Sequence, residues 1–222
     1  MTSLCHLELA KLLNMPKIAG SFLAKDHFLL TILACVVGAI GFMHDDNSLI
    51  LGSMLISPFE ENAIAQSMLS ILLGNYKGTI SGMLSLIVLA VVGISIGFVM
   101  AEFNRYFDHY YIIPSKNMKK LASYKFLITN LVVSIVSGFF LSYAMINQNM
   151  AVLHGIALII TILPSLVNSG LYFSLARYNK GKNNDLYLEY KKNSINSFVI
   201  AFINTCGVSI SVLIGFLVFC SN

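Results

Sequence analysis

The stretch ILGSMLISPFEEN, residues 50–62, begins as apolar as a lipid-facing helix and then sets Pro58, Glu60, Glu61 and Asn62 inside the run. Counting about 1.5 Å per residue, Pro58 lies about 14 Å from a span that starts at residue 49, near the middle of a hydrocarbon layer about 30 Å thick. A charged carboxylate there costs on the order of 2.5–3.5 kcal/mol on an insertion scale. Two in succession do not face lipid. They face a wet cavity, take partners or carry protons. At about 100° per residue, Glu60, Asn62, Gln66, Ser67 and Ser70 share one helical stripe, and Glu61 falls outside it. Glu60 is therefore the candidate ligand for a cation or proton, with Asn62 and Gln66 as neutral partners. The competing reading is that 49–59 is a short re-entrant leg that leaves both carboxylates near a surface.

A similar arrangement recurs later. Asn168 follows Pro164 at plus four, as Asn62 follows Pro58, and Ser165, Asn168, Ser169 and Tyr172 form a comparable stripe. Proline removes a backbone donor and clashes with the preceding turn, so both prolines are candidate helix breaks whose freed carbonyls could add oxygens to a site. Asn168 and Ser169 join Glu60, Asn62 and Gln66 as candidate ligands for a small solute or ion. Asn130, Ser134 and Ser137, and likewise Ser197, Asn204 and Ser211, also share faces. The plain reading of these is interhelical hydrogen bonding worth about 0.6–2 kcal/mol. His44, Asp45 and Asp46 form either a solvated turn or a cation-collecting mouth.

The elements that must position these residues are membrane helices. Of 222 residues, 57% are hydrophobic and 11% charged, less than half the charged share of about a quarter in a soluble domain. Windows at about 27–43, 49–74, 79–103, 126–146, 152–176 and 195–220 reach or approach the roughly 20 apolar residues of a span. The expected fold is an all-α, multi-pass integral membrane protein of about six transmembrane helices. They form a single membrane domain, 27–220, made of two three-helix repeats, 27–103 and 126–220, joined by an interfacial linker, 104–125. Helices two and five are broken at Pro58 and Pro164. Because three is odd, the repeats are inverted, an architecture of secondary transporters with sites near the midplane. Residues 1–26 have no basic start and no long apolar run, and are expected as a tail or an interfacial helix, not a cleaved signal.

The charge pattern gives an orientation. On six crossings one side carries Lys11, Lys17, Lys25 and Lys77, and the other carries ten basic residues, among them Arg105, Lys119, Lys120, Arg177, Lys191 and Lys192. The richer side is cytoplasmic by the positive-inside rule. Re-entrant broken helices would even the count and remove that orientation. Phe103, Tyr106, Phe107, Tyr110 and Tyr111 follow helical spacing and suit a short helix at the membrane interface. Gly93, Gly97 and Ala101, and Ser134, Gly138 and Ser142, are ridges of small residues on which helices pack closely, joining the halves or joining subunits of a homo-oligomer.

No basic run interleaved with aromatics marks a nucleic-acid partner. Cys5, Cys35, Cys206 and Cys220 lack metal or redox spacing. No nucleophile elbow, HExxH, phosphate loop, haem or flavin signature is present, so no enzyme activity, cofactor or resident metal is expected.

Gly52-Ser53-Met54-Leu55-Ile56-Ser57-Pro58 resembles the signature of the domain of unknown function 389 family of bacterial and archaeal membrane proteins, and Gly155 through Pro164 to Gly170 is similar to its second hallmark. The resemblance covers about 28–220 and implies a polytopic membrane protein with no assigned substrate. The chain departs from that pattern where the family has small or apolar residues and another proline just after Pro58; here stand Glu60, Glu61 and Asn62. It also has Pro164-Ser165 where two prolines are common. The expected function is a transporter or channel for a small solute or ion in the lipid bilayer. The alternative is an oligomeric membrane scaffold without transport.

Overall fold

The structure, a computed structural model, describes residues 25–56, 59–108, 113–147, 155–156 and 162–219; for 25–27, 59–62 and 108 it describes the backbone alone. Among the described residues there are eight helices and no strand: α1 (Lys25–Met43), α2 (Asn47–Ile56), α3 (Phe59–Leu72), α4 (Tyr76–Asp108), α5 (Lys116–Leu121), α6 (Tyr124–Ile146), α7 (Ile162–Asn179) and α8 (Asn184–Phe219). Three stretches are long and apolar enough to cross a membrane by length and composition: Tyr76–Phe107, Tyr124–Ile146 and Asn184–Phe219. Shorter apolar helices are Phe28–Met43, Asn47–Ile56 and Ala63–Leu72. The outward faces of the long helices are apolar. Ile80, Ile87 and Val91 on α4, Ile128, Val132 and Phe140 on α6, and Phe202 and Ile210 on α8 are all exposed. Apolar surface of that extent fits a protein whose solvent is a bilayer.

Local signals set the element ends. Asp46 caps α2 by accepting from Ser48 N at 2.8 Å, and Asn75 caps α4 by accepting from Gly78 N at 3.2 Å. Asn183 caps α8 through Asp185 N at 3.1 Å, and Ser115 caps α5 through Met118 N at 3.2 Å. Each such bond satisfies a backbone donor that the first turn leaves over. Gly74 (φ 68°) and Gly181 (φ 84°) take the left-handed conformation that glycine adopts without steric cost. They turn the chain between α3 and α4 and between α7 and α8.

The packing partners follow from the small residues. A Cβ on Gly82 would lie 2.7 Å from Ser67 Cβ, and one on Gly78 would overlap Ser70, so α3 and α4 run antiparallel. Gly93 faces Leu166 and Gly97 faces the Val167 carbonyl, so α4 and α7 run parallel. Gly138 faces Val208 and Ser211, with Gly207 against Ser134 and Gly215 against Ser142, which sets α6 along α8. The first ridge of small residues thus joins the two halves of the chain, and the second lies within the carboxyl-terminal half. α7 is the central element. It packs on α4 and α8 and also touches α1, α2 and α5. Fifteen of its eighteen residues are buried.

Two expectations need correction. The aromatic run after residue 103 is not a separate interfacial helix: α4 continues unbroken to Asp108, about 50 Å at 1.5 Å per residue. Its Phe103, Tyr106 and Phe107 are exposed along that extension, while Tyr110 and Tyr111 lie outside the described residues. α8 starts at Asn184, eleven residues before the expected 195, because Asn183 caps it there. The linker 104–125 also contains a short helix, α5, whose Met118 and Leu121 are buried. The expected break at Pro58 and the tail 1–24 lie outside the described residues. Pro164 is the third residue of α7 and is buried. Residues 157–161 before it lie outside the described residues, and with them the expected break.

Candidate functional site

The polar stripe of α7 faces α8 and α5. Asn168 is fully buried and donates both amide hydrogens, to the Met118 carbonyl of α5 at 3.1 Å and to Ser197 Oγ of α8 at 3.0 Å. Ser169 Oγ donates to the Ser194 carbonyl at 2.9 Å, and Ser194 Oγ donates back to the Ser169 carbonyl at 2.9 Å. One turn along, the fully buried Tyr172 stacks at 6.0 Å from the Tyr190 ring, its hydroxyl beside Glu189 and Asn193. Two oxygens in this cluster, Asn168 Oδ1 and Tyr172 Oη, have no hydrogen-bond partner of good geometry among the described residues. A buried unpaired polar group costs about 1–3 kcal/mol, and native structures usually explain one by a water, an ion or a function. Two neutral oxygens one helical turn apart, beside Ser197, Asn193 and Glu189, can accept from a small polar solute or ligate a cation.

The other half of the expected site is only partly visible. The side chains of Glu60, Glu61 and Asn62 lie outside the described residues. Gln66 is half-buried and Ser67 and Ser70 are buried on α3, whose main neighbours are α4 and α8. Ser67 sits opposite Gly82 of α4 and Val167 sits opposite Gly97. Measured along α4, Ser67 and Val167 therefore lie at levels fifteen residues apart, about 22 Å. Nearer to α7, Gly38 of α1 faces both Ser53 of α2 and Leu163 of α7, which brings the helix before Pro58 against the residue next to Pro164.

Other candidates resolve into local structure. Asp46 is the α2 cap, and Asp45 (φ 56°) accepts from Asn117 N at 3.0 Å, so this acidic turn ties α1–α2 to α5. Ser134, Ser137 and Ser142 bond carbonyls three or four residues back in α6, the local bonding that helical serines commonly make.

Two features escaped the sequence reading. The first is Glu102, inside the α4 span, which pairs with Arg105 and accepts from Ser174 Oγ of α7 at 2.7 Å. The Glu-x-x-Arg spacing was the available signal. The second is a groove of about 550 Å³ between α4, α7 and α8, lined by Met83, Ile87, Ile94, Leu166 and Phe202 among others, and almost wholly apolar.

A family model matches residues 54–210, more than half of the chain. The chain belongs to the family described as Domain of unknown function (DUF389). No curated protein and no solved structure matches it. The DUF389 match begins in α2 and ends in α8, so it takes in the α2–α3 region, the whole of α7 and the α8 residues that meet Asn168, Ser169 and Tyr172.

Proposed function

We propose that this DUF389 member is a multi-pass membrane protein built as an inverted repeat, and that it passes a small solute or ion without catalysis. The observation that carries the reading is the polar cluster on α7. The helix at the centre of the molecule holds a fully buried oxygen, Asn168 Oδ1, with no hydrogen-bond partner among the described residues, and one turn on the buried Tyr172 hydroxyl beside Asn193 and Glu189. Several features support the repeat. The hairpins α3–α4 and α7–α8 each turn at a left-handed glycine followed by a capping asparagine. α3 runs antiparallel to α4 and α7 runs parallel to it, so the equivalent helices α3 and α7 point in opposite directions, as inversion requires. α3 packs on α4 and α8, and so does α7.

In this reading Glu60 holds the cation or proton, Asn62 and Gln66 add neutral ligands at one level, and Asn168, Ser169 and Tyr172 serve a second level. The test is proton and potassium flux into liposomes, read by an entrapped pH dye under a potassium gradient. Wild type should conduct, and Glu60→Gln and Tyr172→Phe should each lower flux about tenfold or more while folding normally. Flux equal to wild type in both variants overturns the site.

A second reading, an oligomeric scaffold without transport, is favoured by the close packing of α4 on α7 at Gly93 and Gly97, beside Pro164. Its expected result is no flux above empty liposomes from wild type itself.

A further inference from the structure

Where α4 and α7 end side by side, a cavity of about 300 Å³ opens between Phe98, Glu102, Arg105, Arg177 and Tyr178. Two cations, Arg105 and Arg177, line it, and a third, Lys182, lies against the Tyr178 ring. The Arg105 guanidinium lies 4.9 Å over the Tyr178 ring, the Lys182 ammonium 3.6 Å over the same ring, and the Arg177 guanidinium 5.7 Å over Phe98. Aromatic faces hold cations at such distances without neutralising them. The pocket's carboxylate is Glu102. One of its oxygens pairs with Arg105 and the other accepts from the buried Ser174 hydroxyl at 2.7 Å, which fixes Glu102 and orients Arg105. Arg177 forms no ion pair among the described residues. Two arginines beside one carboxylate, with Lys182 close by on the Tyr178 ring, make a site that attracts an anion.

The position narrows the chemistry. The pocket sits at the end of α4 where Phe103, Tyr106 and Phe107 are exposed, the aromatic collar that marks the head-group level of a bilayer. Guanidinium forks match tetrahedral phosphate oxygens bidentately, and basic pockets between membrane helices take anionic head groups. We propose that this pocket binds a phosphate-bearing anion through Arg177 and Arg105. Its source is the head group of an anionic phospholipid or free phosphate. The assignment does not depend on transport.

The test uses the full chain in neutral detergent. One arm measures adducts with phosphatidylglycerol against phosphatidylcholine by native mass spectrometry. The other measures the thermal shift given by inorganic phosphate against chloride at equal ionic strength. Arg177→Gln alters an exposed side chain and should weaken binding about tenfold in at least one arm, since a charge-assisted bond is lost. Arg177→Lys, which keeps the charge and loses the fork, should fall between. Lys77→Gln, an exposed cation at the opposite end of α4, should bind as wild type does. Selective phosphatidylglycerol adducts without a phosphate shift identify the lipid as source, and a phosphate shift without selective adducts identifies the free anion. Equal binding by wild type and Arg177→Gln in both arms, or equal losses in Arg177→Gln and Lys77→Gln, overturns the proposal.

Discussion

Asn168 shows how one buried amide can be both structural and poised. Its two donors are used, on the Met118 carbonyl and Ser197 Oγ, while its own oxygen is unmatched. The donor side anchors α5, a six-residue helix too short to be stable alone. Asn196 of α8 helps by donating to the Ala122 carbonyl at 3.2 Å. Asn168→Leu keeps the volume and removes both bonds, each worth about 0.5–1.5 kcal/mol net. The loss should be felt locally: amide exchange across Lys116–Leu121 should quicken about tenfold, with a smaller effect from Ser197→Ala, which removes one bond. Unchanged protection of α5 in Asn168→Leu, followed by hydrogen-exchange mass spectrometry, would show that apolar burial of Met118 and Leu121 holds the helix without the amide.

At the level of elements, small residues determine which helices touch. A Cβ on Gly97 would collide with the Val167 carbonyl, part of a rigid helix backbone that cannot swing aside. Gly97→Ala should therefore cost about 1–3 kcal/mol, the usual range for overpacking. Gly52, in α2, has nothing within 4 Å of its Cβ position, and Gly52→Ala should instead gain about 0.5–1 kcal/mol from helix propensity. Thermal unfolding in detergent reads both, and equal shifts in the two variants would remove the close-contact argument. The same contrast explains what was legible in the sequence. α1 and α6 lie close to their expected windows because an apolar run with polar ends depends on nothing distant. The ridges at Gly93–Gly97 and Ser134–Gly138 were visible as spacing, but their partners were not, since spacing does not say which helix it faces. α7 was visible as a polar stripe, yet its surroundings were not: Asn168 meets Met118 fifty residues away, on a helix that short and polar segments do not announce. Glu102 was missed, although Arg105 stands three residues on, because its other partner, Ser174, comes from α7, near in space and remote in sequence.

For the molecule as a whole, the direction of α4 relative to its neighbours fixes where the hairpin tips lie. The α3–α4 turn at Gly74–Asn75 adjoins the start of α4. The α7–α8 turn adjoins its end, because α7 runs parallel to α4 and places Tyr178 against Arg105. The α4 helix is 33 residues long, about 50 Å, enough to carry its two ends to opposite faces of a bilayer with some tilt. The basic residues Arg105, Arg177, Lys180 and Lys182 lie at the α7–α8 end, which the positive-inside rule assigns to the cytoplasm. A variant with Cys5, Cys35, Cys206 and Cys220 replaced by serine or alanine can carry single cysteines at Lys77 or Lys182, both exposed. In intact cells a membrane-impermeant maleimide should label Lys77→Cys and spare Lys182→Cys until the membrane is opened. Labelling of both positions from one side would mean that α4 does not cross, and the inverted repeat would fail with it. Labelling of Lys182→Cys alone would keep the crossing and reverse its orientation, moving the phosphate-binding pocket to the outer face while leaving its chemistry unchanged.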